Sequence, residues 1–363
     1  MDWTRTVRPF LLGLLAVLTA CAAPHDGRVG SRVPGSGALA LAFDLYRPGM
    51  TLPADHLVPR SKALRLLAES RHAPGSVTWI GHSTFLLRLG ERWVLTDPIF
   101  SSYASPVPPF GPRRMVRPGI AVEDLPPIDA IVISHNHYDH MDRPSLRRLA
   151  RRNPDATVLV PLRNRRVPLD VGFRDVRALP WFGAARVGPL TFVATPADHG
   201  SRRGLFDEDW ALWSGWAIEG SGAALWFAGD TGAGDTDASD ADGGERRTQG
   251  FARKVGRRLG PFDVALVPIG AYAPRERERG RHVAPEEAVA LALAAGARGV
   301  VGMHWGTFAL TPEPVLEQKS RFLRAAKGRL PAWAPRVGET RLLPSLERPA
   351  GARPVHARSP NVS

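Results

Sequence analysis

Short apolar runs, each cut off by a turn, set the rhythm of this chain. SVTWIGHSTFLLRLGERWVLTDP (76–98) clusters its apolar residues on either side of LGERW, which predicts successive strands joined by a hairpin turn. IDAIVIS (128–134), rich in β-branched residues, predicts a buried strand. RPSLRRLARRN (143–153) predicts an amphipathic helix, and ATVLVP after it another strand. PLTFVATPA, GWAIE, AALWFAGD and FDVALVPIG (262–270) predict four more strands. APEEAVALALAAGA (284–297), with Pro285 in its first turn, predicts a helix, and GVVGMHW a closing strand. Strands dominate early and strand–helix alternation appears twice. The pattern is that of an α+β protein whose sheets are covered by helices.

Composition divides the chain into four stretches. Residues 1–20 carry Arg5 and Arg8 ahead of an apolar run from Phe10 to Ala20, too short for a permanent bilayer-spanning helix and shaped like an export signal. Leu18-Thr19-Ala20-Cys21 resembles the lipobox of bacterial lipoproteins. That resemblance implies cleavage ahead of Cys21, lipid on its thiol, and an exported chain anchored in the bacterial cell envelope on the periplasmic or outer face. Residues 21–37 are Gly-, Pro- and Ser-rich and read as a flexible tether. Residues 38–345 hold no second linker of that kind and read as one domain, and 346–363 as a loose polar tail.

A hydrophobic fraction of 44 % with 23 % charged residues excludes a disordered or collagen-like chain. The net charge of +13, nearly all from arginine, suits an anionic partner, such as nucleic acid, a phosphorylated substrate or an acidic lipid surface. Taken alone, a merely solvated basic surface is the plainer account of it. Cys21 is the lone cysteine, so the domain itself has no disulfide.

The chemistry concentrates in ISHNHYDHMD (133–142), where His135, His137, Asp139 and His140 fall within six positions. A strand ending at Ser134 sends His135 and His137 to one side, because alternate residues share a face. Asp139 and His140 follow as the chain turns toward the next helix. Such a loop can serve two metal ions, and imidazole with carboxylate suits zinc ahead of manganese or iron. His199, Asp230 and His304 each follow a predicted strand, at the carboxyl ends where α/β folds gather their sites.

With HNHYDH, DHG, GDTG and MHWGTF in this order, the chain resembles the metallo-β-lactamase superfamily. WIGHSTFLLRL, TDPIF, ASPVPPFGPRR, LFDEDWALWSGW and HVAPEEAVAL resemble more narrowly N-acyl-phosphatidylethanolamine-hydrolysing phospholipase D and its bacterial relatives. The resemblance implies a metallo-β-lactamase αββα sandwich, two mixed β-sheets flanked by helices, with two zinc ions between them. It implies His135, His137 and His199 on one zinc and Asp139, His140 and His304 on the other. It implies that Asp230 bridges the two together with a hydroxide, and Asp139 and Asp230 are expected to orient that nucleophile. The segment 233–250 is an acidic, Gly-rich insert that leaves the shape of the rim undefined.

Three further residues are candidates with two readings each. Asp97 in LTDP either fixes a histidine tautomer or only starts a turn. His82 in GHST either contacts substrate or caps a turn. His282 either faces the leaving oxygen or a head group, or merely enters a helix. Trp210, Trp213 and Trp216 either line an acyl groove or lipid interface, or pack in the core. The expectation is a metal-dependent phosphodiesterase acting on a membrane phospholipid, with a lactonase or other ester hydrolase on the same metals as the alternative. The export signal argues against nucleic acid as partner. A silent envelope lipoprotein that uses the fold only for binding is opposed by the intact ligand set.

Overall fold

The computed structural model describes residues 51–233 and 249–343; the leader, the tether, Cys21, the tail and most of the insert lie outside these. Among the described residues two seven-stranded sheets face each other. The first comprises β1 (Gly75–Gly81), β2 (Thr84–Leu89), β3 (Arg92–Thr96), β4 (Ala130–Val132), β5 (Thr157–Pro161), β6 (Asp175–Leu179) and β14 (Thr340–Leu342). The second comprises β7 (Ala184–Val187), β8 (Leu190–Thr195), β9 (Gly215–Gly220), β10 (Ala223–Phe227), β11 (Val264–Pro268), β12 (Val300–Met303) and β13 (Ala332–Trp333). The helices are α1 (Arg60–Glu69), α2 (Arg143–Arg152), short α3 (Arg166–Asp170), α4 (Gly250–Leu259), short α5 (Arg275–Glu278), α6 (Pro285–Ala294) and α7 (Val315–Ala326).

The two sheets repeat one topology that no sequence period reveals. In each, an antiparallel meander (β1–β2–β3, β7–β8–β9–β10) continues into parallel strands (β4–β5–β6, β11–β12–β13) joined by helical crossovers, except that β3 reaches β4 through a long loop with one 3-10 turn, Val122–Asp124. All the predicted site residues after strands therefore come to one rim, where parallel strands end and crossovers begin.

The first sheet is buried on both faces, which is why FLL on β2 and WVL on β3 run apolar without alternation. Trp79, Phe85 and Leu87 point between the sheets, while Ile80, Leu86 and Leu95 point outward beneath α1 and α2. On α2, Asp142 caps the first turn by accepting from Ser145 N, Leu146, Leu149 and Ala150 pack inward, and the arginines stay in water. On the far side, α4, α6 and α7 cover the second sheet through Val255, Leu291 and Phe322. Among the described residues no helix is long and apolar enough to cross a membrane.

The helix at 143–153 and the predicted strands are found within a few residues of their expected bounds. GVVGMHW does not close the series, because β13 and β14 follow it. The unanticipated β6 and β7 are edge strands with interrupted apolar content, charged where a sheet edge must resist further pairing.

Candidate metal centre

β4 delivers Ser134 and then the loop from His135 to His140. Behind that loop Asp97, fully buried, accepts from Ser134 N at 2.6 Å, Ser134 Oγ at 2.5 Å and His140 Nδ1 at 2.7 Å. Burial pushes the Asp97 carboxyl upward, and the donors from His140 and Ser134 oppose that rise. Of the two readings of Asp97, the structure has the one that holds a histidine.

These contacts decide where the ring protons sit. Ser134 Oγ gives its hydrogen to Asp97 and so accepts from His135 Nδ1 at 2.9 Å, leaving Nε2 of His135 unprotonated. The Arg281 carbonyl accepts from His199 Nδ1 at 2.9 Å, which leaves Nε2 of His199 unprotonated as well. Those two lone pairs meet at 3.2 Å, with His137 Nδ1 2.8 Å from one and 3.3 Å from the other. Two bare nitrogens have no hydrogen to share, and a cation between them satisfies both. The trio His135, His137 and His199 fits a metal.

A second group lies beside the first. His82, Asp139, His140 and His304 each offer one ligand atom, all within 4.8 Å of one another. Asp230 joins the groups: its Oδ2 is 3.0 Å from His140 Nε2, 3.0 Å from His304 Nε2 and 4.0 Å from His199 Nε2. Asp230 Oδ1, His140 Nε2 and both ring nitrogens of His304 are buried without a hydrogen-bond partner. Such groups are costly to leave unsatisfied, and a divalent cation supplies what they lack. The delivery of Asp230 depends on Gly229, whose φ is 65° and where a Cβ would lie 2.7 Å from Ser214 O.

His82 is more than a turn residue. Its backbone is left-handed with φ 57°, its carbonyl accepts from His304 N, and its Nε2 lies 2.9 Å from Asp139 Oδ2. His282 stands on the opposite side, its ring 5.2 Å from His199 and 5.3 Å from His304. All ten predicted site residues from His82 to His304 thus meet at one rim; Cys21 lies outside the described residues. The tryptophans separate: Trp216 is buried and donates to Ile133 O, Trp213 is partly buried, and Trp210 is 59 % exposed.

Sequence reasoning missed the residues that brace the loop. Arg203 Nη1 donates to Asn136 O at 2.7 Å and to Met141 O at 2.8 Å, bracketing the histidine turn, and its guanidinium lies 4.2 Å from the Tyr138 ring. Tyr138 Oη donates back to Arg203 O. Carbonyls accept these bonds, so no partner side chain marks them in the sequence. Ser134 was adjacent to the motif but named only as the strand's end.

The charge pattern gives a pH prediction for the metal-stripped chain. Burial and neighbouring histidines hold His82 and His137 down at about 3, and burial holds His199 at about 4, against the ordinary 6.5. Unfolding lets these rings take protons, so their contribution to stability is lost as pH falls below 6.5. Burial opposes charge on His304, yet Asp230 and Asp139 outweigh it and raise the ring to about 9. The stability from that charge is present below 6.5 and lost as pH rises through about 9. Thermal unfolding of the chelator-treated chain is therefore expected to show greatest stability near pH 6.5, falling on the acid side as the unfolded rings take protons and on the alkaline side up to about 9, where folded His304 gives up its own. A profile that keeps rising toward acid pH contradicts this arrangement.

Two mixed sheets carrying a histidine–aspartate cluster at their common rim define a metal-dependent hydrolase of the β-lactamase fold. The family profile described as Beta-lactamase superfamily domain matches residues 92–305, and the chain belongs to that superfamily. It is 35 % identical over 285 residues to N-acyl-phosphatidylethanolamine-hydrolyzing phospholipase D 1 of Caenorhabditis elegans, covering 74 % of this chain and 76 % of that protein. It is 38 % identical over 291 residues to an uncharacterised protein of Mycobacterium tuberculosis, covering 77 % of this chain and 70 % of the relative. Among solved structures, the isothiocyanate hydrolase from Delia radicum gut bacteria superposes with a TM-score of 0.55 at 20 % identity, over 73 % of this chain and 98 % of that one.

Proposed function

We propose that the chain is a dinuclear zinc phosphodiesterase of the phospholipase D type, acting on N-acyl-phosphatidylethanolamine-like membrane lipids. The observation that carries this reading is the 35 % identity to a phospholipase D of that name over most of both chains. The convergent ligand set supports it. In this reading His135, His137 and His199 hold one ion, Asp139, His140 and His304 the other, and Asp230 both; manganese or iron would fit the same donors.

When bound, such a pair of cations supplies an acidified water and neutralises charge that develops on a phosphoryl oxygen. The chain's own groups do the positioning. Asp97 fixes the His140 tautomer and, through Ser134, that of His135. His82 donates from Nε2 to Asp139 Oδ2, so that the more exposed of the two catalytic aspartates keeps one orientation toward the attacking water. Burial and nearby histidines hold His282 well below the ordinary imidazole range, Asp230 opposing. A neutral His282 donates a hydrogen bond to a head-group or leaving oxygen without giving up its proton.

The exported, Cys21-lipidated form in the bacterial envelope belongs to the same reading, since it keeps enzyme and lipid in one plane; its support is the sequence of residues 1–21. The direct test offers the purified chain N-acyl phosphatidylethanolamine, an aryl phosphodiester, an acyl lactone and a β-lactam side by side. Release of N-acyl ethanolamine is expected. Hydrolysis of the lactone alone overturns the substrate and makes the chain a lactonase on the same residues.

A further inference from the structure

The three parallel strands that end at the metal rim place different chemistry there in order. β4 is followed by the histidine loop, β5 by Leu162 and Arg163, and β6 by Pro180 and Trp181. The segment from Ser201 to Trp213 lies across all three: Arg202 N donates to Asn136 Oδ1, Leu212 N to Leu162 O, and Trp181 Nε1 to Trp213 O. At its tip Phe206 is 98 % exposed, beside Leu205 at 42 % and Trp210 at 59 %. Leu162 at 41 % and Trp181 at 39 % continue the apolar surface toward the sheet edge.

This exposure is built. Asp209 accepts from Ser201 N, and Asp207 accepts from Gly204 N at 2.7 Å and from Arg203 N at 3.1 Å, closing a turn that holds Phe206 outward. Those two acids face backbone donors, and Glu208 lies 3.6 Å from Arg202. On the outer side the charge is positive: Arg163 stacks 5.3 Å from the Trp210 ring, and Arg165 and Arg166 are exposed next to it in sequence. Aromatic and aliphatic side chains flanked on one side by Arg163 and Arg165, on a chain of net charge +13, complement a surface that is apolar within and anionic at its face.

We infer that this rim docks on an anionic phospholipid bilayer, with Leu205, Phe206 and Trp210 entering the head-group region and Arg163 and Arg165 on lipid phosphates. The inference rests on the reading that the substrate is a membrane lipid, and it adds a contact made by the catalytic domain itself, separate from any anchor at Cys21. The bilayer is then brought against the Tyr138 side of the metal loop.

The test places an environment-sensitive fluorophore on Phe206→Cys in a Cys21→Ser full-length chain, with Leu342→Cys as the control. Leu342 is also exposed but belongs to β14, at the opposite edge of the first sheet from β6. Vesicles of phosphatidylcholine with phosphatidylglycerol are expected to blue-shift the probe at 206 and not at 342, and to do so more than phosphatidylcholine alone. Adding Trp210→Ser is expected to raise the lipid concentration for half-maximal shift about tenfold. No shift at 206, or equal shifts at both positions, overturns the docking surface. A shift at 206 without release of N-acyl ethanolamine leaves the surface standing and removes the substrate reading; turnover on vesicles without a shift does the reverse.

Discussion

Asp230→Asn lowers turnover by about three orders of magnitude or more, because the carboxylate whose Oδ2 stands 3.0 Å from both His140 and His304 loses its charge. An amide keeps the shape and removes the anion. The surrounding rings then have no carboxylate common to both groups. Steady-state kinetics on whichever substrate the side-by-side assay shows to be turned over, with the circular dichroism of the variant checked against the parent, reads the effect. Turnover within a few fold of the parent removes Asp230 from the machinery.

Asp97→Ala is expected to be the most damaging change away from the ligands themselves. Asp97 is fully buried and receives three hydrogen bonds, from Ser134 N, Ser134 Oγ and His140 Nδ1. Alanine strands all three donors without access to water, a loss of roughly 3–5 kcal/mol on the experience of broken buried pairs. It also frees the His140 ring and, through Ser134, the His135 tautomer, so metal affinity falls about 10–100-fold. Denaturant titration of the metal-free variant measures the first effect, and competition with a zinc chelator the second. A variant within about 1 kcal/mol of the parent would mean that the network carries little.

The candidate metal-site residues were legible because the chemistry expected of them constrains their spacing. A metal needs several donors from one turn, and H-x-H-x-D-H before a helix is how a single loop supplies them; each remaining donor follows an apolar run that could only be a strand. Asp97 and His82 each carried two readings in the sequence, because the hydrogen bonds that bear on the choice, to His140 and Asp139, cross 43 and 57 positions. Arg203 left no trace at all, because a guanidinium spent on main-chain carbonyls has no complementary residue to betray it.

The same distinction runs through the fold. Central strands buried on both faces announce themselves as apolar runs, whereas DVRAL and AARV at the sheet edges carry too little apolar content to be read. α4 was hidden by its glycines. GFARKVGRRL looks interrupted, yet Gly256 is where the helix approaches closely: a Cβ there would lie 2.7 Å from Ala295 O. A residue unfavourable for helix formation alone is required by packing. On α1, only Ala63 and Leu67 are fully buried, a stripe too narrow to stand out.

The central claim is that His135, His137 and His199 on one side, and Asp139, His140 and His304 on the other, form two cation sites joined at Asp230. Metal analysis of the folded full-length chain after incubation with zinc and removal of the excess tests it most directly. The expected result is roughly two zinc ions per chain, falling to one or none in Asp230→Asn. A well-folded chain that retains no zinc, or one that retains the same amount after Asp230→Asn, contradicts it.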